Sequence, residues 1–157
     1  MTDEPKLTEF EWHRKQAVDL FNITWTLIDN PMRTSAEDDL MIHAAHASRY
    51  HWGMVGEQVN FTRGEWQIAH VCTILGLAQS ALYHAQHCLD QCLTHAIGDF
   101  DLAYAYEAAA RAHACAGQTG EAQQYQQLAE KAGQQIAEEE DRQQFQKDLA
   151  AGPWFDL

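Results

Sequence analysis

Small residues return at a fixed interval in the second half of this chain. Ala69, Gly76, Ala81 and Cys88 have counterparts 41 residues later in Ala110, Gly117, Ala122 and Ala129. Self-similarity at such a period marks stacked copies of one supersecondary unit, because a single copy leaves an apolar face uncovered. The order of the residues identifies the unit as a helical hairpin. A small residue lies where the second helix must cross closely, a glycine makes the turn, and an alanine opens the packed face of the second helix.

The rest of the chain agrees with an all-α fold. Ala, Leu, Gln and Glu dominate, and breakers occur only at short, spaced intervals. The pattern predicts helix 1 over about 8–29, stopped by Asn30-Pro31, because proline cannot continue a helix. Thr34 and Glu37 have capping-box spacing ahead of helix 2, about 35–53. Helix 3 is expected to start from a cap at Asn60 or Thr62 and end near Gly76. Helix 4 covers about 79–96, helix 5 starts after Asp99 and ends at Gly117, helix 6 covers about 120–137, and a short helix covers about 140–150. Connections of a few residues force neighbours to lie antiparallel. The expected organisation is one domain with three parts: an N-terminal helical pair over 1–60, two hairpins over 61–137, and a short helix and tail over 138–157.

The hairpins resemble the tetratricopeptide repeat family over about residues 62–135. Trp66, Ala69, Gly76, Ala81 and Cys88 match its pattern in the first copy, and Tyr106, Ala110, Gly117, Ala122 and Ala129 in the second. Tyr125 stands one position from the expected aromatic. The chain departs from the family in its period, 41 instead of 34, and in lacking the terminal proline; the joint "THAIGDFD" absorbs the extra residues. The resemblance implies a right-handed array of six to seven helices. It also implies a non-enzymatic module that holds a peptide or protein partner in a groove lined by the first helices of the hairpins. The whole chain is also similar to a group of uncharacterised bacterial proteins, from which no activity follows.

Composition narrows the partners. With 23 acidic and 10 basic residues the net charge is −13, which repels phosphate backbones and anionic lipid. Nucleic acid and membrane are therefore not expected partners. No apolar run approaches a bilayer span, and "MTDEPKLTEFEWHRK" has no signal-like core, so the expected location is cytoplasmic. Cys72, Cys88, Cys92 and Cys115 are then expected to be reduced thiols.

"IHAAHASRYHW" over 42–52 concentrates imidazole and aromatic groups on helix 2. Helical spacing places Leu40, Met41, Ala44, Ala45, Trp52 and Val55 on the packed side, and Asp39, His43, His46, Ala47 and Tyr50 opposite. Three readings of the second face stay open. It can border a packed interface, line a ligand groove, or hold a divalent metal through His43 and His46 with Asp39 as a third group. The metal reading is similar to helical bundles of the DinB type. That family would add His13 or His70 as a ligand and zinc or another divalent ion as cofactor, but it expects H-x-x-x-H where this chain has H-x-x-H.

The binding reading requires no cofactor. Its candidate contacts are Asp39, His43, His46, Tyr50, Trp66, His70 and Tyr106, with a homodimer expected if a second copy covers the open end of so short an array. A second group, His84, His87, Cys88, Cys92 and His95, reads as core packing, since Cys88 occupies a small packed position of the repeat. Phe10, Phe21 and Trp25 read as core of helix 1. Asp99 and Asp101 read as helix-start acids. No phosphate loop, nucleophile elbow or H-E-x-x-H motif is present.

Overall fold

The structure, a computed structural model, describes residues 4–157, and all regular structure among them is helical. Seven helices follow in order: α1 (Glu9–Ile28), α2 (Ser35–Val55), α3 (Gln58–Ile74), α4 (Ala78–Thr94), α5 (Asp99–Cys115), α6 (Thr119–Gln134) and α7 (Glu139–Ala150). No described helix is long and apolar enough to cross a membrane. The chain forms two compact units, one reaching to Gly64 and one running from Glu65 to Leu157. The division falls inside α3.

In the first unit α1 and α2 pack as an antiparallel pair, with His13 against His51 and Ala17 against Ser48. The Ser48 hydroxyl donates to the Ala17 carbonyl at 2.8 Å, which satisfies a buried polar group inside the interface. Met41, Ala44, Ala45 and Trp52 are buried, as the helical spacing predicts. Thr34 caps α2, accepting from the Glu37 N–H and donating to the Glu37 carboxylate. Thr8 and Glu11 form a full capping box on α1.

Three expectations fail here. Leu40 is half exposed, one residue beyond the packed stripe. Phe10 is exposed at 56%, while Phe21 and Trp25 are partly buried and meet edge to face. Thr62 does not cap α3, because the helix has already begun at Gln58; its hydroxyl donates back to the Gln58 carbonyl. Asn60 supplies the cap from inside the first turn, accepting from the Glu57 N–H at 2.9 Å. Gly64 lets α3 approach α2 closely: a Cβ there would stand 2.7 Å from Arg49 Cδ.

In the second unit the 41-residue period is visible bond by bond. Gly76 and Gly117 adopt φ of +72° and +74°, the left-handed region that glycine enters without a steric penalty. Around them the amide of Leu77 bonds Cys72 O and that of Gly76 bonds Thr73 O. The amides of Gln118 and Gly117 bond His113 O and Ala114 O in the same way. Each is a Schellman turn. The matched residues Ala69 and Ala110, Ala81 and Ala122, and Cys88 and Ala129 are all essentially inaccessible to solvent.

The joint between hairpins, α4 to α5, uses the same turn with a different residue. Ile97 N bonds Cys92 O, and the left-handed position is held by Ala96 at φ +53°. Cys88, Leu89 and Cys92 pack with Ala105 and Ala109, so both cysteines are core. Asp99 opens α5, but its carboxylate accepts from the Ala137 N–H at 2.9 Å and so ties the start of α5 to the α6–α7 connection.

α5 is the centre of this unit. Seven of its residues are buried alanines, and it packs against α4, α6 and α7. Alanine faces bring helix axes close, because nothing larger stands between the backbones. α7 is seated by Phe145, which is fully buried against Gly133 of α6 and edge-on to Tyr104 of α5.

Candidate functional site

The second unit buries an ion pair. Glu107 and Arg111, one turn apart on α5, are each only 2–3% exposed, and Arg111 Nε donates to Glu107 Oε1. Removing two charges from water is costly, so every remaining donor and acceptor has to be matched. Trp66 on α3 donates its indole N–H to Glu107 Oε2 at 3.3 Å. Arg111 Nη2 donates to Asp148 O at 2.7 Å, and Nη1 to Ala151 O and Pro153 O at 2.9 and 3.1 Å. Its guanidinium lies 4.1 Å from the centre of the Trp154 ring, within cation–π range.

Further groups close around this pair. His70 stacks on Trp66 with ring centres 5.0 Å apart. Tyr104 meets Trp66 edge-on and donates to Asp148 Oδ2 at 2.5 Å. Burial shifts their proton equilibria. It pushes the Glu107 carboxyl up, against the opposing pull of Arg111 and Trp66. His70 is pushed down to about 4, first by burial and then by the Arg111 charge. The Tyr104 hydroxyl is raised by burial and then by the Asp148 carboxylate. The site thus presents a neutral imidazole, a phenol that stays protonated and one cation aimed at main-chain oxygens.

The register explains why these residues meet. Trp66, Glu107 and Asp148 are spaced 41 residues apart, as are His70 and Arg111, and Tyr104 and Phe145. Equivalent positions of the three first helices, α3, α5 and α7, therefore form one face. The sequence carried this signal: extending the 41-residue shift one more step from Glu107 reaches Asp148. What hid it was the polarity of the matched residues, since a repeat is sought among small and apolar positions.

Of the residues expected to bind a ligand, Trp66 and His70 belong to this site. Tyr106 is partly buried, packed between the cluster around Cys92 and the one around Phe145. Asp39, His43, His46 and Tyr50 lie in the other unit, exposed along α2, with Tyr50 63% accessible and edge-on to His51. His13 pairs with His51, the two Nδ1 atoms 2.8 Å apart. At least one of those nitrogens must be unprotonated to accept the bond. Burial, and then His13, push His51 down.

Among the described residues, no group of three or more His, Cys, Asp or Glu side chains is arranged to hold a metal ion. His84 Nδ1 instead pairs with the buried Glu65 carboxylate at 2.7 Å. A groove of about 650 Å³ between α4 and α5 was not foreseen; Tyr83, His87, Asp90, His113 and Gln118 are among its lining. Tyr83 stacks on His87 there, and His113 on Tyr125.

Comparison with protein families, curated proteins and solved structures finds no match to this chain.

Proposed function

We propose that the protein is a non-enzymatic binding module of tetratricopeptide-like hairpins. It holds an extended segment of a protein partner against the face lined by α3, α5 and α7. One observation carries the reading: Arg111 directs its guanidinium at three main-chain carbonyls of the segment Asp148–Pro153, two of them beyond the end of α7. A donor directed at backbone oxygens can hold a peptide with little demand on its side chains, and an aromatic ring over the cation adds to that hold. The alanine-rich packing of α5 supports the reading further, because it keeps the face rigid and preorganised. The metal-dependent alternative has no group of three ligating side chains behind it among the described residues.

The test is selection from a random twelve-residue peptide library on the full chain, both unaltered and as Trp154→Ala. Peptides that enrich are then measured against a Glu107→Gln/Arg111→Met variant, which removes both charges together. The expected result is enrichment, with binding at least tenfold weaker on the double variant. Failure of both proteins to enrich peptides, or enriched peptides indifferent to the double variant, would sink the reading.

A further inference from the structure

Residues 151–157 form no helix, and all but Trp154 and Leu157 are exposed. Their hold on the unit is concentrated in a few polar contacts. Ala151 O and Pro153 O accept from Arg111, the Trp154 ring covers the guanidinium, and the Trp154 indole N–H donates to Leu149 O at 3.0 Å. Neither the Ala103–Phe145 cluster nor the Cys88–Ala109 cluster includes a residue of this segment. A largely exposed, non-helical segment opens at lower free-energy cost than the helices beneath it, which stay folded.

Opening would leave Arg111 with its donors withdrawn from Ala151 O and Pro153 O and its aromatic cover gone. The freed face of the guanidinium then meets water while its bonds to Glu107 and Asp148 O remain, so a ligand that takes that place must match the donors it strips of water. The replacement that restores every lost contact has the chemistry of the segment that left: non-helical backbone offering two carbonyls, with an aromatic side chain just after them.

We infer that residues 151–157 are a built-in competitor for the peptide face. The partner is an extended segment in which an aromatic residue follows two free main-chain carbonyls, and it binds only when this segment leaves. The inference rests on the peptide-binding reading above and adds the identity of the bound chemistry and its regulation. Where the competent form is a fraction f of the molecules, apparent affinity falls by that fraction. If the segment is seated in roughly 90–99% of molecules, releasing it should tighten binding about 10- to 100-fold.

The probe is a fluorescein-labelled, amidated peptide with the sequence of residues 148–157, DLAAGPWFDL. It is titrated by anisotropy into the full chain, into Trp154→Ala, and into Trp154→Leu, which keeps an apolar side chain but removes the ring over Arg111. The expected outcome is binding to both variants at least tenfold tighter than to the unaltered chain, and lost when Glu107→Gln/Arg111→Met is added. Equal affinity for all three single-chain forms, still lost in the double variant, overturns the competitor and leaves the peptide face standing. No binding to either variant, with helical circular dichroism unchanged, overturns both. Should one variant fail to fold, the other decides.

Discussion

α2 and α5 place their chemistry in opposite ways. α2 carries His43, His46, Tyr50 and His51 within nine residues, yet the first three are exposed. α5 reads as plain packing, "DFDLAYAYEAAARAHAC", and yet it holds the fully buried Glu107 and Arg111. Side-chain size decides the difference. Seven alanines draw the neighbours of α5 in on several sides, so the few long residues left on it are enclosed. α2 has a single packed stripe, and polar residues off that stripe stay in water. Chemical richness in a sequence and enclosure in a fold are therefore separate properties, and it is enclosure that leads the shifts at Tyr104, Glu107 and His70.

The sharpest way to break that contrast is to remove one partner of the buried pair. Arg111→Ala leaves Glu107 enclosed without its counter-charge, which typically costs about 3–5 kcal/mol. Glu107→Gln/Arg111→Met, with no uncompensated charge, should stay within about 1–2 kcal/mol of the unaltered chain. His43→Ala/His46→Ala on exposed α2 should fall within about 0.5 kcal/mol. Urea denaturation followed by circular dichroism reads all three. A loss on α2 as large as that on α5 would abolish the distinction.

Protonation sharpens the same contrast. His70 titrates near its ordinary 6.5 when unfolded and at about 4 when folded, so the folded state disfavours its charged form. Its contribution is neutral above pH 6.5, and stability is lost as pH falls from 6.5 towards 4. The loss should reach about 2 kcal/mol at pH 5 and on the order of 3 kcal/mol below pH 4. His70→Gln should therefore lose about 2 kcal/mol less than the unaltered chain between pH 7.5 and pH 5, measured as a urea midpoint at each pH. Parallel losses in the two proteins would show that His70 is not enclosed.

How tightly α7 must seat is tested at Gly133. A Cβ there would overlap the ring of Phe145, which is buried. Overpacking of this kind costs about 1–3 kcal/mol, so Gly133→Ala should lower the urea midpoint by about 2 kcal/mol of stability. An unchanged midpoint would mean that α7 rides loosely on α5 and α6.

Much of the fold was legible because it depends on local rules. Seven helices lie within a few residues of where breakers and caps place them, and the turn glycines Gly76 and Gly117 sit where the repeat requires. The candidate site was half legible. Trp66 stands at the repeat's aromatic position, and His70 lies one turn further along the same helix. Glu107 and Arg111, by contrast, look like an exposed i, i+4 pair, and nothing local to α5 says that α3, α7 and the residues after α7 will cover them. Phe10 and Leu40 erred in the other direction: an apolar residue at a plausible spacing is core only if a neighbour arrives to cover it.

The smallest effect bears on the repeat that brings those neighbours in. Three connections use the same left-handed turn position, filled by glycine in the two hairpins and by Ala96 between them. An L-residue pays a backbone penalty there of about 1 kcal/mol relative to glycine, offset in part by the greater freedom of glycine when unfolded. No heavy atom lies within 4 Å of where a Cβ at Gly117 would stand, so Gly117→Ala tests conformation alone and should destabilise by about 1 kcal/mol. Ala96→Gly should stabilise by about 0.5–1 kcal/mol, read as a rise in Tm of a few degrees. Opposite signs from opposite substitutions would establish that all three joints share one geometry. Equal signs would mean that the connection between hairpins relaxes where the turns within them do not, and the 41-residue register that aligns Trp66, Glu107 and Asp148 would then rest on packing along α5 rather than on the turns.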